Sequence, residues 1–170
     1  KGNHASTTSL NKPTYNMNLN ALTFDSNLAT SQEINNNLLS NTSYTIFAVE
    51  STNRTIYPNY FLGAAHSGGP DTATSFQYGY SSNNTIKLDH GYNITNFTIT
   101  NPKNRNISAI TFTRNSENSR TLFFNGEKYN STSNGLPYPH NGDIILGADD
   151  RNNFFTGSIY ELLIFNDALS

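Results

Sequence analysis

Cysteine and tryptophan are both missing from the 170 residues, and methionine occurs once. Without cysteine there is no disulfide framework, no thiolate nucleophile and no thiolate metal site. Charge is scarce too: 13% of residues are Asp, Glu, Lys or Arg, about half the usual share, and the formal net charge is −2. A nucleic-acid partner would want a basic stripe, and none is present. No apolar run approaches the roughly 20 residues of a spanning helix, and no signal peptide opens the chain. Neither nucleic-acid binding nor membrane insertion is expected.

In place of charge there is Asn, Ser and Thr, roughly two residues in five. Such a surface is well solvated and casts little long-range field. Aromatic residues at 12% and hydrophobic residues at 35% suffice for one core, and the length fits one domain. Asn-x-Ser/Thr triplets begin at Asn41, Asn53, Asn83, Asn93, Asn96, Asn106 and Asn130. They read either as glycosylation acceptors of an exterior protein or as the chance product of this composition.

Residues 1–19 are polar and aperiodic and read as an arm or linker. From residue 20 onward, short apolar stretches recur about every ten residues, separated by turn chemistry. Tyr44–Glu50 is a near-continuous apolar strand, as expected when both faces are partly covered. Phe76, Tyr78 and Tyr80 alternate onto one face, and Ser81–Asn84 turns the chain into Thr85–Leu88. Asn125-Gly126 between Leu122-Phe123-Phe124 and Glu127-Lys128-Tyr129 is the strongest hairpin signal, because a type I′ turn needs positive φ at both central residues. Asn27–Ser43 is a polar connection with room for one helical turn, capped by Thr30 or Ser31 with Glu33 in its first turn. The stretch from Phe154 to Ser170 carries the most apolar strand, read as a central core strand, with a helix start at Leu169-Ser170. The pattern predicts an all-β antiparallel sandwich or barrel.

Five segments carry a family resemblance in order. They are Tyr44–Val49, Ile110–Thr113, the Leu122–Gly126 hairpin, Ile144–Ala148, and the closing Gly157-x-Ile159-x-Glu161-Leu162-x-Ile164-Phe165-Asn166-x-Ala168-Leu169-Ser170. Residues 20–170 thereby resemble the concanavalin A-like lectin/glucanase superfamily, in its laminin-G-like form. The resemblance implies a jelly roll of two curved antiparallel sheets packed face to face. Glu161, set within the most apolar strand, is expected to be structural and hydrogen-bonded.

Glucanases of the superfamily carry Glu-x-Asp-x-x-Glu on one strand, placing paired carboxylates on one face. No such string exists here. Glu33, Glu50, Glu117, Glu127 and Glu161 stand alone, and His4, His66, His90 and His140 lack the spacing of a zinc site or a triad. No catalysis is expected. Because selectivity in sandwiches usually sits in loops, ligand-binding candidates are His66, Tyr138, His140, Asp149, Asp150 and Asn152. The tyrosine pairs Tyr57/Tyr60 and Tyr78/Tyr80 offer either a sugar platform or core packing. Many members of the family hold calcium on loop oxygens, which makes Asp71, Asp149 and Asp150 its candidates, against ordinary turn chemistry. No other cofactor is expected. The expected role is a non-catalytic lectin-like recognition or adhesion module on an extracellular or virion surface. Its partners would be glycans or neighbouring surface-protein subunits, engaged through multivalent display. The alternative is a structural building block without a sugar ligand.

Overall fold

The computed structural model describes residues 12–34, 39, 42–52, 57–64, 76–91, 93–100, 102–114, 118–131, 144–149 and 153–169. Thirteen strands lie among them. In chain order they are β1 Thr14–Asn16, β2 Ala21–Phe24, β3 Gln32–Ile34, β4 Tyr44–Thr52, β5 Asn59–Ala64, β6 Phe76–Ser82 and β7 Thr85–His90. They continue with β8 Asn93–Thr98, β9 Asn106–Phe112, β10 Arg120–Phe124, β11 Glu127–Ser131, β12 Ile144–Leu146 and β13 Gly157–Phe165. One sheet has seven strands in the order β1-β2-β13-β4-β9-β10-β11, the other six in the order β3-β12-β5-β6-β7-β8. Every pairing is antiparallel. The expected β-sandwich jelly roll is the fold.

Local chemistry explains the connections. Asn125 and Gly126 take φ of 50° and 90°, so Phe124 pairs directly with Glu127 across the two-residue turn. Asn83-Asn84 closes the β6–β7 hairpin between the paired Ser82 and Thr85. The connection after β2 departs from expectation. A 3-10 turn at Ser26–Leu28 is capped by the Asp25 carboxylate, which accepts from the Asn27 N–H at 2.9 Å. Residues 32–34 are strand rather than helix, because pairing with β12 outweighs weak helical spacing. The polar arm also contributes structure: Thr14–Asn16 adds an edge strand to β2. Residues 166–169 form no helix.

The core lies between the sheets: Phe24, Ile46, Phe61, Leu62, Ile86, Leu88, Ile110, Leu122 and Phe124, among others, are at most 1% exposed. Polar groups bolt the sheets together within it. Tyr78 donates to Ser108 Oγ at 2.9 Å and Tyr80 to Glu50 Oε1 at 2.6 Å, so both tyrosines belong to the core rather than to a sugar platform. Burial pushes the Tyr78 phenol far above its usual range. Tyr44 bonds His90, which sits among Phe76 and Phe112. Arg120, fully buried, donates from Nη1 to Asn93 O at 2.9 Å and Thr95 Oγ1 at 2.6 Å. Burial lowers its pKa, against the opposing influence of Tyr44 and Asp89.

The closing strand sits beside the central strand of its sheet, between β2 and β4. A β-bulge between Ile159 and Glu161 breaks its alternation. Ile159 faces inward before the bulge; after it, Leu162 and Ile164 pack against the core, half-buried, while Glu161, Leu163 and Phe165 face out. Phe47 and Val49 likewise stand on the outer face and are half-buried, because the near-continuous apolar run of β4 serves both faces.

Candidate functional site

Two places hold the chemistry that a recognition site needs. The first is the outer face of the six-stranded sheet. Gln77, Lys87 and Asp89 face outward on β6 and β7, since their paired neighbours Tyr78 and Leu88 face the core. Lys87 Nζ meets Asp89 Oδ2 at 2.9 Å and Gln77 Oε1 at 2.7 Å, and lies 5.6 Å from the centre of the Tyr60 ring. Gln77 Nε2 donates to Asp149 Oδ2 at 2.6 Å. The Asp149 carboxylate also accepts from the Asn153 backbone N–H at 2.9 Å and from Asn153 Nδ2 at 2.7 Å. Gly63 lets this segment approach: a Cβ there would lie 2.4 Å from Ala148 O and 2.6 Å from Asp149 Cα. Gln77, Asp89 and Asp149 are all buried.

Of the loop residues expected to bind a ligand, only Asp149 falls among the described residues. Its oxygens are engaged by three N–H donors, so its role here is to clamp the turn onto the sheet. Calcium takes six to eight oxygen ligands, and a cation at Asp149 would compete with those donors; among the described residues no three acidic or histidine groups cluster. His66, Asp71, Tyr138, His140, Asp150 and Asn152 lie outside the described residues, as do His4 and Glu117. Of the Asn-x-Ser/Thr acceptors, Asn106 is fully buried, whereas Asn83 and Asn96 are exposed. That burial fits the compositional reading at Asn106.

The second place is a groove of about 370 Å³ where the two sheets meet along their β1 and β3 edges. Leu22, Ile34, Leu146, Ile159 and Leu162 give it an apolar floor. Its rim carries Tyr15, Asn20, Tyr160 and Glu161. Tyr15 OH donates to Asn20 Oδ1, which leaves the Asn20 amide nitrogen as a donor. Arg105 stacks on the Tyr160 ring with its guanidinium carbon 3.7 Å from the ring centre. A hydrogen bond to Ser51 and the adjacent Arg105 pull the Tyr160 phenol below its usual range. Glu161 is exposed. The expectation that it is a bonded structural carboxylate is corrected here: the bulge turns it outward to the rim. Strict alternation from Ile159 would have put it inside, and no residue type in the sequence announces the bulge. Tyr15 was hidden for a different reason, since it lies in the stretch read as an arm.

A two-sheet antiparallel jelly roll with a bulged closing strand defines the class as lectin-like in architecture. Residues 25–170 match the model of a laminin-G family within the concanavalin A-like lectin/glucanases superfamily, and the chain belongs to that family. No curated protein matches. Among solved structures, a mutant of the NanB sialidase of Streptococcus pneumoniae is 19% identical with a TM-score of 0.65, over 88% of this chain and 26% of the sialidase. The CBM40 of the Ruminococcus gnavus IT-sialidase, bound to α2,3 sialyllactose, is 16% identical with a TM-score of 0.59, over 78% and 80% of the two chains. Domain 4 of AbnA, an extracellular arabinanase of Geobacillus stearothermophilus in complex with arabinotriose, is 15% identical with a TM-score of 0.63, over 88% and 72%. The chain thus spans about a quarter of the NanB sialidase it resembles.

Proposed function

We propose that this domain is a non-catalytic glycan-binding module of a larger extracellular or surface polypeptide, and that the β1/β3 groove is its binding site. The observation that carries the reading is the groove's composition: an apolar floor rimmed by two tyrosines, an amide and a solvent-facing carboxylate. A sugar presents C–H faces and hydroxyl edges, so it needs apolar surface and neutral or singly charged hydrogen-bonding groups side by side. Glu161 can accept from two neighbouring hydroxyls, and Asn20 can donate to a ring or hydroxyl oxygen. The volume suits a mono- or disaccharide. Glycoside hydrolysis ordinarily takes two carboxyl groups flanking the bond, and Glu161 is the one carboxylate among the groove's described residues. The CBM40 and arabinanase-domain structures, both in complex with sugars, favour the same class of ligand.

Placement on an adhesin or a virion surface is the form we infer for the larger protein. The loop residues His66, Tyr138, His140, Asp150 and Asn152 are proposed as a second contact region, favoured by Asp149, which flanks two of them in sequence and is bonded to Gln77 and Asn153. The test is a glycan array with the full chain, followed by titration of Glu161→Ala and Asn20→Ala against the best ligand. Glu161→Ala should weaken binding about tenfold, one charge-assisted hydrogen bond's worth, with unchanged thermal unfolding, and Asn20→Ala about threefold, one neutral hydrogen bond's worth, with a small loss of thermal stability because Asn20 holds a left-handed φ of 52°. Unaltered affinity in both variants moves the site to the loops; an array without any ligand removes the reading.

A further inference from the structure

The polar chain on the outer face of the six-stranded sheet holds an amine against an amide. Lys87 Nζ lies 2.7 Å from Gln77 Oε1. A C=O bond is about 1.23 Å long, so the Gln77 carbonyl carbon is within about 3.9 Å of the amine. Reacting atoms poised for attack stand about 3–3.5 Å apart. The β6–β7 hairpin sets up this approach. Gly79 pairs with Lys87 and Gln77 with Asp89, so Lys87 and Gln77 are diagonal neighbours on one face, within reach of long side chains. Glycines leave the space clear: Gly79 opposite Lys87 and Gly63 opposite Gln77 bring no side chain to it, and a Cβ on Gly79 would lie 2.6 Å from Tyr60 Cα. Two carboxylates flank the pair. Asp89 Oδ2 is 2.9 Å from Nζ, and Asp149 Oδ2 accepts from Gln77 Nε2 at 2.6 Å. Gln77, Asp89 and Asp149 are at most 3% exposed and the Lys87 side chain 13%, so water competes little for the carbonyl.

We propose that Lys87 and Gln77 join in an intramolecular isopeptide bond that staples β6 to β7. Asp89 takes one proton from the Nζ ammonium and frees its lone pair. Nζ attacks Cδ, and the carbonyl electron pair moves onto Oε1. In the tetrahedral centre both nitrogens sit on one carbon, so the Asp89 carboxyl that touches Nζ also reaches Nε2. It hands its proton to Nε2 and takes the second from Nζ. The Cδ–Nε2 bond breaks with its electron pair on nitrogen, and the carbonyl re-forms. Ammonia leaves, carrying the proton left on Asp89 as ammonium. One C–N bond forms and one breaks, with no change of oxidation state. Asp149 is a positioning residue: it holds the amide nitrogen so that the carbonyl faces the amine. In the product it keeps its two Asn153 donors, and the new amide N–H lies beside Asp89. A chain without cysteine cannot form a disulfide; this bond gives it a covalent staple by other chemistry.

Intact mass spectrometry of the full chain in denaturant tests it. The expected mass is one ammonia below that of the sequence, and digestion should release the Gln77 and Lys87 peptides as one linked species. Lys87→Arg keeps the positive charge beside Asp89 but lacks the amine, and should fold and return the full sequence mass. Asp89→Asn keeps both reactants and should slow ammonia loss about a hundredfold or more. A wild-type chain that holds its full mass through prolonged incubation at neutral pH overturns the proposal. So does a loss of ammonia that persists in Lys87→Arg, which is the mark of a succinimide at an Asn-Gly step, and so does a link mapped to another pair of residues. An Asp89→Asn chain that cross-links at the wild-type rate overturns the role given to Asp89.

Discussion

The outer faces of the two sheets invert the ordinary rule. At β6 and β7 of the six-stranded sheet, outward side chains are polar and yet buried: Gln77 and Asp89, with Asp149 laid against them, are at most 3% exposed, whereas Ile94, Asn96 and Thr98 on β8 are open. On the seven-stranded sheet outward side chains are apolar and yet open: Phe123, Leu163 and Phe165 are each at least 40% exposed. Burial follows what covers a face, not the polarity of the face itself. A covered polar face must satisfy its donors and acceptors internally, and the Lys87–Gln77–Asp149–Asn153 chain does so. An uncovered apolar face has no such requirement, but it leaves a driving force for association unspent.

The sharpest way to break this contrast is Asp149→Ala. It removes the acceptor for Gln77 and for both Asn153 donors, leaving buried N–H groups unpaired, and should cost about 2–4 kcal/mol. Urea unfolding at neutral pH measures it; a cost under about 0.5 kcal/mol would mean that the clamp is a decoration of the surface. Within one strand, Leu162→Ala should cost about 2 kcal/mol and Leu163→Ala well under 1, since only the first packs against the core. Equal costs would show that the bulge does not set the faces apart as described.

Alkali probes the interior between the two faces. The Tyr78 phenol is held protonated in the folded state by burial, against the lesser influence of Ser108. Because its folded pKa is raised, its contribution is fully present below the unfolded value of about 10 and falls as pH rises above it. The loss should be about 1 kcal/mol one pH unit above that value. Tyr78→Phe should flatten this slope, and an unchanged slope would assign it to other groups. The smallest effect is expected at Phe123→Ser, within about 0.5 kcal/mol of wild type in dilute solution. A larger loss there would show the apolar face to be part of the folding core.

Legibility differed by element in ways that follow from range. The Asn125-Gly126 turn was legible because its conformational demand is met by the two residues themselves. The alternation of Phe76, Tyr78 and Tyr80 announced a shared face, but not that their hydroxyls would be used for cross-sheet bonds to Ser108 and Glu50. Thr14–Asn16 and Gln32–Ile34 were missed as strands since three residues carry too little period to be read. Their partners β2 and β12 supply the order.

The chain's composition and short-range pattern alone determined an all-β sandwich without thiol chemistry, without a basic stripe and with turns every ten residues or so. These are local properties, set by side-chain period, turn dihedrals and residue type. Only the tertiary structure decided that Glu161 leaves the apolar strand for a groove rim, that Asp149 serves as a clamp, and that Phe47, Phe123 and Leu163 align into one open row. Each of those depends on a bulge or a register between strands distant in sequence. A one-residue shift in either exchanges the two faces of a strand without altering a single local preference.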